Sequence, residues 1–138
     1  MLTQSKRFPL SWDYLSTRLA TWRELLPPTR SPDAIRQGEE EDWVWKPALG
    51  HEGADIGVAG ANDPADWRRI VARARRARGS WVAQRRFTVL PLTTPEGPYY
   101  PCVGVYVIDG RAAGAYGRLA RKPLIDHDAR EIAVLVRH

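Results

Sequence analysis

Residues 44–56 read VWKPALGHEGADI, and the rest of the chain is best read outward from them. The stretch begins inside DWVWKP, 42–47, where large apolar residues alternate with others and predict a short strand with Lys46 at its end. A loop containing Gly50 and Gly53 follows, and DIGVA, 55–59, predicts a return to strand. Glycine lets backbone N–H groups come close to a phosphate, and a lysine adds a point charge. A cover of the form strand, loop, strand differs from the P-loop, which runs from its strand into a helix. The same residues also suit a plain hairpin carrying a surface lysine, so the stretch alone leaves both readings open.

Upstream, Trp12, Leu15, Leu19, Trp22, Leu25 and Leu26 recur at intervals of three or four and predict one amphipathic helix within 1–26, with Ser11 as N-cap and Pro27-Pro28 as its stop. Residues 27–41, PPTRSPDAIRQGEEE, are polar with three prolines and read as a linker. Downstream, Asp63 as N-cap and Pro64 at the first helical position open a helix whose buried stripe is Trp67, Ile70, Val71 and Ala74, and Gly79 closes it. WVAQRRFTVLPL (81–92) reads as one strand, TPEGP (94–98) as a turn, and YYPCVGVYVIDG (99–110) with AAGAYGRL (112–119) as a hairpin turning at Asp109-Gly110. EIAVLVR (131–137) is a last short strand. The fold expected is α+β: an antiparallel sheet with one or two helices packed on it, residues 42–138 forming one nucleotide-binding domain.

A length of 138 residues with 43% hydrophobic and 27% charged residues suits one soluble domain with a core. No apolar run approaches the roughly 20 residues of a membrane helix, and MLTQSKRFPLSW has no apolar signal segment, so a cytoplasmic location is expected. Cys102, the single cysteine, lies in the apolar run PCVGVYVI and reads as a small core residue. A net charge of +5 favours an anionic partner without choosing among nucleotide, nucleic acid and anionic surface.

KPALGHEGADI, 46–56, resembles the lysine-proline and glycine-rich loop of the glutathionylspermidine synthase family of ATP-grasp ligases. WVAQRRF (81–87) is similar to that family's aromatic-x-Gln strand, and VGVYVIDGRAAGAYGRL (103–119) to its long hairpin ending in a glycine-rich turn and an arginine. PLIDHDAREIAVLV (123–136) fits its C-terminus, so the resemblance covers roughly 25–138. It implies a carboxylate–amine ligase that binds ATP and Mg²⁺ in a two-lobed clamp, of which this chain is the C-terminal part and inactive alone. It further implies that Lys46 touches the ATP phosphates and that Gly50, Glu52 and Gly53 form a lid over them. Gln84 and the backbone near Arg86 would border the adenine, Leu124 and Ile125 would line the nucleotide pocket, and Arg118 would be the catalytic arginine at the transferred phosphoryl group. His51 and Asp55 stand where the family has arginine and asparagine, and neither Lys6 nor Arg7 matches its upstream asparagine-lysine pair. The family's Mg²⁺ ligands precede the region matched, so a missing lobe or partner subunit is implied. Asp109, Asp126 and Asp128 read instead as turn and loop residues, and no metal ligand is assigned within this chain.

Two other functional classes compete. WRRIVARARRARG (67–79) carries Arg68, Arg69, Arg73, Arg75, Arg76 and Arg78 and could lie along a phosphodiester backbone, although a solvated helix face explains it better and no nucleic-acid motif accompanies it. A non-catalytic interaction domain is the remaining alternative. His51, His127 and His138 lack zinc-ligand spacing.

Overall fold

In a computed structural model the described residues, 4–50 and 55–135, fall into two units, Met1–Phe87 and Thr88–His138. Each is α+β or all-β in its own right, and the described residues form two antiparallel sheets where the sequence suggested one.

In the first unit β1 (Thr29–Arg30), β2 (Trp43–Pro47) and β3 (Trp81–Arg85) form a sheet in the order β1-β3-β2. Trp45 pairs with Ala83 and Lys46 with Val82. Because side chains alternate across a strand, Trp43, Trp45, Trp81 and Ala83 share one face and Lys46, Val82 and Gln84 the other. The first face packs on a helix, α2 (Pro64–Arg76), through Ile70, Val71 and Ala74, with Ile35 completing the core. The start of α2 follows the sequence: the Asp63 carboxylate accepts from the Ala65 N–H at 2.8 Å, and Pro64 supplies a first residue with no N–H to satisfy. Its end is earlier than expected, at Arg76, and Gly79 lies in a separate short turn of helix at Arg78–Ser80.

The N-terminal segment is not one helix. A 3₁₀ turn at Phe8–Tyr14 and a short helix α1 (Ala20–Leu25) are separated by an extended Leu15 and by Leu19 at φ 46°. Ser16 and Thr17 sit in this break, and such hydroxyl residues compete with helical hydrogen bonding. Ser11 lies inside the 3₁₀ turn and caps nothing. The stretch expected as a linker is also structured: Thr29 and Arg30 pair with Gln84 and Ala83, and Pro32 and Ile35 are buried. Residues 55–59 form no strand, only a bridge in which Trp45 and Gly57 exchange both backbone hydrogen bonds at 2.9 Å. Gly57 is required there, since a Cβ would stand 2.8 Å from the Ile70 Cγ2.

In the second unit β4 (Leu92–Thr94), β5 (Gly97–Ile108), β6 (Arg111–Ala120) and β7 (Arg130–Ile132) form a sheet in that order. The hairpin turn is the expected one: Asp109 and Gly110 have φ of 50° and 74°, the paired left-handed geometry that suits the twist of two strands. The strand expected over 81–92 stops at Arg85, beyond which the Arg86 N–H is given to the Asp42 carbonyl and Pro91 has no N–H to give. Cys102 is exposed on β5, not a core residue as its apolar neighbours implied. The last strand, expected over 131–137, is confined among the described residues to Arg130–Ile132. No helix among the described residues is long and apolar enough to cross a membrane.

Candidate functional site: a two-lysine cleft

The register of β2 and β3 creates the site. Lys46 faces Val82, so Gln84, two residues further along β3, is its diagonal neighbour on the same face. The Lys46 Nζ donates to the Gln84 Oε1 at 2.6 Å, and the Gln84 Nε2 donates to the Thr29 Oγ1 at 3.3 Å. The N-terminal segment crosses this face of the sheet, and together they enclose a cleft of about 280 Å³. Phe8, Trp12, Trp22 and Val82 supply its apolar walls, and Lys6, Lys46 and Gln84 its polar groups.

Two tethers hold the segment in place. The Lys6 N–H donates to the Ala48 carbonyl at 2.9 Å, and the Arg7 guanidinium donates to the carbonyls of Arg78 and Trp81 at 2.7 and 2.8 Å. The Lys6 ammonium donates to the Gly50 carbonyl at 2.7 Å, which brings a second cation to the cleft beside the glycine loop. Burial pushes the Lys46 amine below its ordinary value, and the Lys6 charge pushes it the same way. Among the described residues no carboxylate lines the cleft and neither lysine is in an ion pair. An amine taken out of water, with only a neutral amide to accept from it, gains most from an incoming anion.

The residues singled out from the sequence divide between the units. Lys46 and Gln84 come together at the cleft, and Gly50 is joined to it through its carbonyl's hydrogen bond from Lys6. Arg86 is nearby in sequence, with its side chain exposed. Glu52 and Gly53 lie outside the described residues, as does His51. Arg118, Leu124 and Ile125 belong to the second unit. There the Arg118 guanidinium donates to the Asp126 carbonyl at 3.1 Å, Leu124 is buried and Ile125 half-buried. Lys6, Phe8, Trp12 and Trp22 were not recognised as site residues. Trp12 and Trp22 belong to the helix pattern read from the sequence, whereas Lys6 and Phe8 stand outside it, so no single pattern joins the four.

The described residues available for Mg²⁺ do not fit a site in the cleft, whose lining among them offers no carboxylate oxygen. Asp55 is engaged by Arg73 at 2.9 Å. Asp126, His127 and Asp128 cluster in the second unit, but Asp126 is committed to Lys122 at 2.8 Å and to the Asp128 N–H. The Lys122 hydrogen bond and charge hold the Asp126 carboxyl below its ordinary range, so it serves as the partner of a cation already present.

The basic helix is largely engaged within its own unit. Arg69 pairs with Asp66, Arg73 with Asp55, Arg75 with Glu40 and Arg78 with Asp33. Arg73 lies over the Trp81 ring and Arg75 over Trp45, both about 5.5 Å from the ring centre. Arg68 and Arg76 alone of the six are without such a pair among the described residues. Comparisons with protein-family models, with characterised proteins and with solved structures return no match.

Proposed function

We propose that the first unit binds a nucleotide, with ATP as the ligand the sequence resemblance favours, and that its phosphates meet Lys46 and Lys6 in the cleft. The observation that carries this reading is the pairing of two lysines, without a carboxylate among the described residues, against the aromatic walls of Phe8, Trp12 and Trp22. An anion with a flat apolar body satisfies both halves of that lining: charge-assisted hydrogen bonds take the phosphate and indole faces take the base. In its fuller form the proposal makes this chain the ATP-binding C-terminal part of a carboxylate–amine ligase of glutathionylspermidine synthase type, one side of an ATP-grasp clamp. Gly50 would contribute backbone to the phosphate loop and Gln84 would set the Lys46 amine. The Mg²⁺ ligands and the rest of the clamp would come from a further lobe or partner subunit.

Nucleic acid is the weaker reading, because Arg73 and Arg75 are committed to carboxylates and indole rings of the same unit. The test is an NMR titration of the chain with ATP. Binding near millimolar, about −4 kcal/mol, with shifts centred on the Trp12 and Trp22 indole N–H signals and lost in Lys46→Ala, supports the proposal. An intact fold with no such shifts at several millimolar ATP overturns it.

A further inference from the structure

The second unit ends in a ribbon that its own sheet leaves open. β5 is paired to β6 from Tyr100 to Ile108, but β4 covers its other edge only opposite Gly97, Pro98 and Tyr99. From Tyr100 to Ile108 that second edge has no strand partner among the described residues. The register shift after Tyr106 leaves the extra residue, Ala113, on β6, so β5 itself runs regularly to its end. Both faces of the ribbon are apolar and open: Val103, Val105 and Val107 are 57%, 58% and 66% exposed on one side, and Tyr106 and Ile108 are 58% and 62% exposed on the other.

Protein strands with a free edge normally carry a lysine, a proline or an inward charge that discourages pairing. The run CVGVYVI, 102–108, has none, and it is bounded by Pro101 on one side and Asp109 on the other. We propose that this edge of β5 pairs antiparallel with the same edge of a second copy of the chain, across a two-fold axis through Val105. The window fixes the axis, because seven uncharged residues between a proline and an aspartate are centred on Val105. Pairing about that centre sets Val103 opposite Val107, so the valines of the two copies form one continuous apolar stripe. It sets Gly104 opposite Tyr106, a small residue against a large one. It also sets Asp109 opposite Pro101, so the two aspartates of the dimer stay far apart. A second copy suits this edge better than a charged partner, which would find no charge between Pro101 and Asp109 to recognise. Seven paired residues span roughly 23 Å, at the small end of specific interfaces, and a micromolar dissociation constant is expected.

Cysteine scanning in a Cys102→Ser background tests the geometry. In Val105→Cys the two thiols meet on the axis, where antiparallel Cα atoms are about 4.5–5.5 Å apart and a disulfide closes readily. In Val103→Cys the thiols are four residues out of register, roughly 13 Å apart, beyond disulfide reach. Mild oxidation should give a covalent dimer from the first and at least tenfold less from the second, although both positions are on the same face and equally exposed. Sedimentation of the wild-type chain should show a concentration-dependent dimer that Val105→Lys and Val107→Lys each abolish with the far-ultraviolet spectrum unchanged. Equal cross-linking at both positions, or a wild-type chain that stays monomeric at several hundred micromolar, would overturn the proposal.

Discussion

Replacing Lys46 by methionine should move binding and stability in opposite directions. The Lys46 amine is held by the Gln84 amide and faces the Lys6 charge, and its affinity for a proton falls below the ordinary value even with that hydrogen bond in place. Its charged form is therefore less comfortable in the folded chain than in the unfolded one. Methionine keeps the length and the apolar stem, removes the buried charge, and forfeits one hydrogen bond worth about 0.5–1.5 kcal/mol net. The removed penalty should exceed the lost bond, and the melting temperature of the first unit should rise. The same substitution removes a charge-assisted contact to phosphate worth about 1.5–3 kcal/mol, which weakens ATP roughly 10- to 150-fold. Calorimetric melting and an ATP titration on the same preparation measure both. A variant that melts lower and binds ATP as the wild type does would show that Lys46 is a structural residue and that the cleft is not a phosphate site.

Three further outcomes are expected. Because the folded Lys46 loses its proton below 10.5, the unfolded chain binds the extra proton in the window under that value. Stability of the first unit should therefore rise as the pH is raised through the folded value towards 10.5, and pH-dependent melting of Lys46→Met should lack that rise. Gly57→Ala should cost about 1–3 kcal/mol, since its methyl would stand 2.8 Å from Ile70 Cγ2 and 3.4 Å from Trp45 Cβ; urea unfolding measures it. Any retention on DNA should vanish in the Arg68→Glu, Arg76→Glu double variant with the fold intact, whereas Arg75→Glu should lower the melting temperature by breaking contacts to Glu40 and Trp45, as column retention and melting together would show.

The parts legible in the sequence are those where one local rule acts without competition. Asp63-Pro64 can begin a helix and little else, and Asp109-Gly110 between two apolar runs can only turn a hairpin. Lys46 and Gln84 were each singled out along the chain, but their contact depends on the register of β2 against β3, which no local pattern encodes. The N-terminal segment failed for the opposite reason. Its spacing fits a helix, yet the folded chain gains more by bending at Leu15–Leu19 and placing Trp12 and Trp22 at one cleft. Cys102 misled because an apolar run signals burial only when a second layer covers it, and β5 is a ribbon with both faces open. The arginines of α2 read as a surface charge, whereas two of them, Arg73 and Arg75, are the lids of indole rings.

Those lids bear on how the chain meets denaturants. Trp12, Trp43, Trp45 and Trp81 each lie under at least one guanidinium group, those of Arg23, of Arg30 and Arg85, of Arg75 and of Arg73. The guanidinium ion of the common chaotrope is the same planar cation, free in solution at molar concentration. It can take the place of the side chain over the ring while also dissolving apolar surface, whereas urea has no charge with which to compete. The first unit is thus built on contacts for which one of the two standard unfolding agents is a direct chemical substitute.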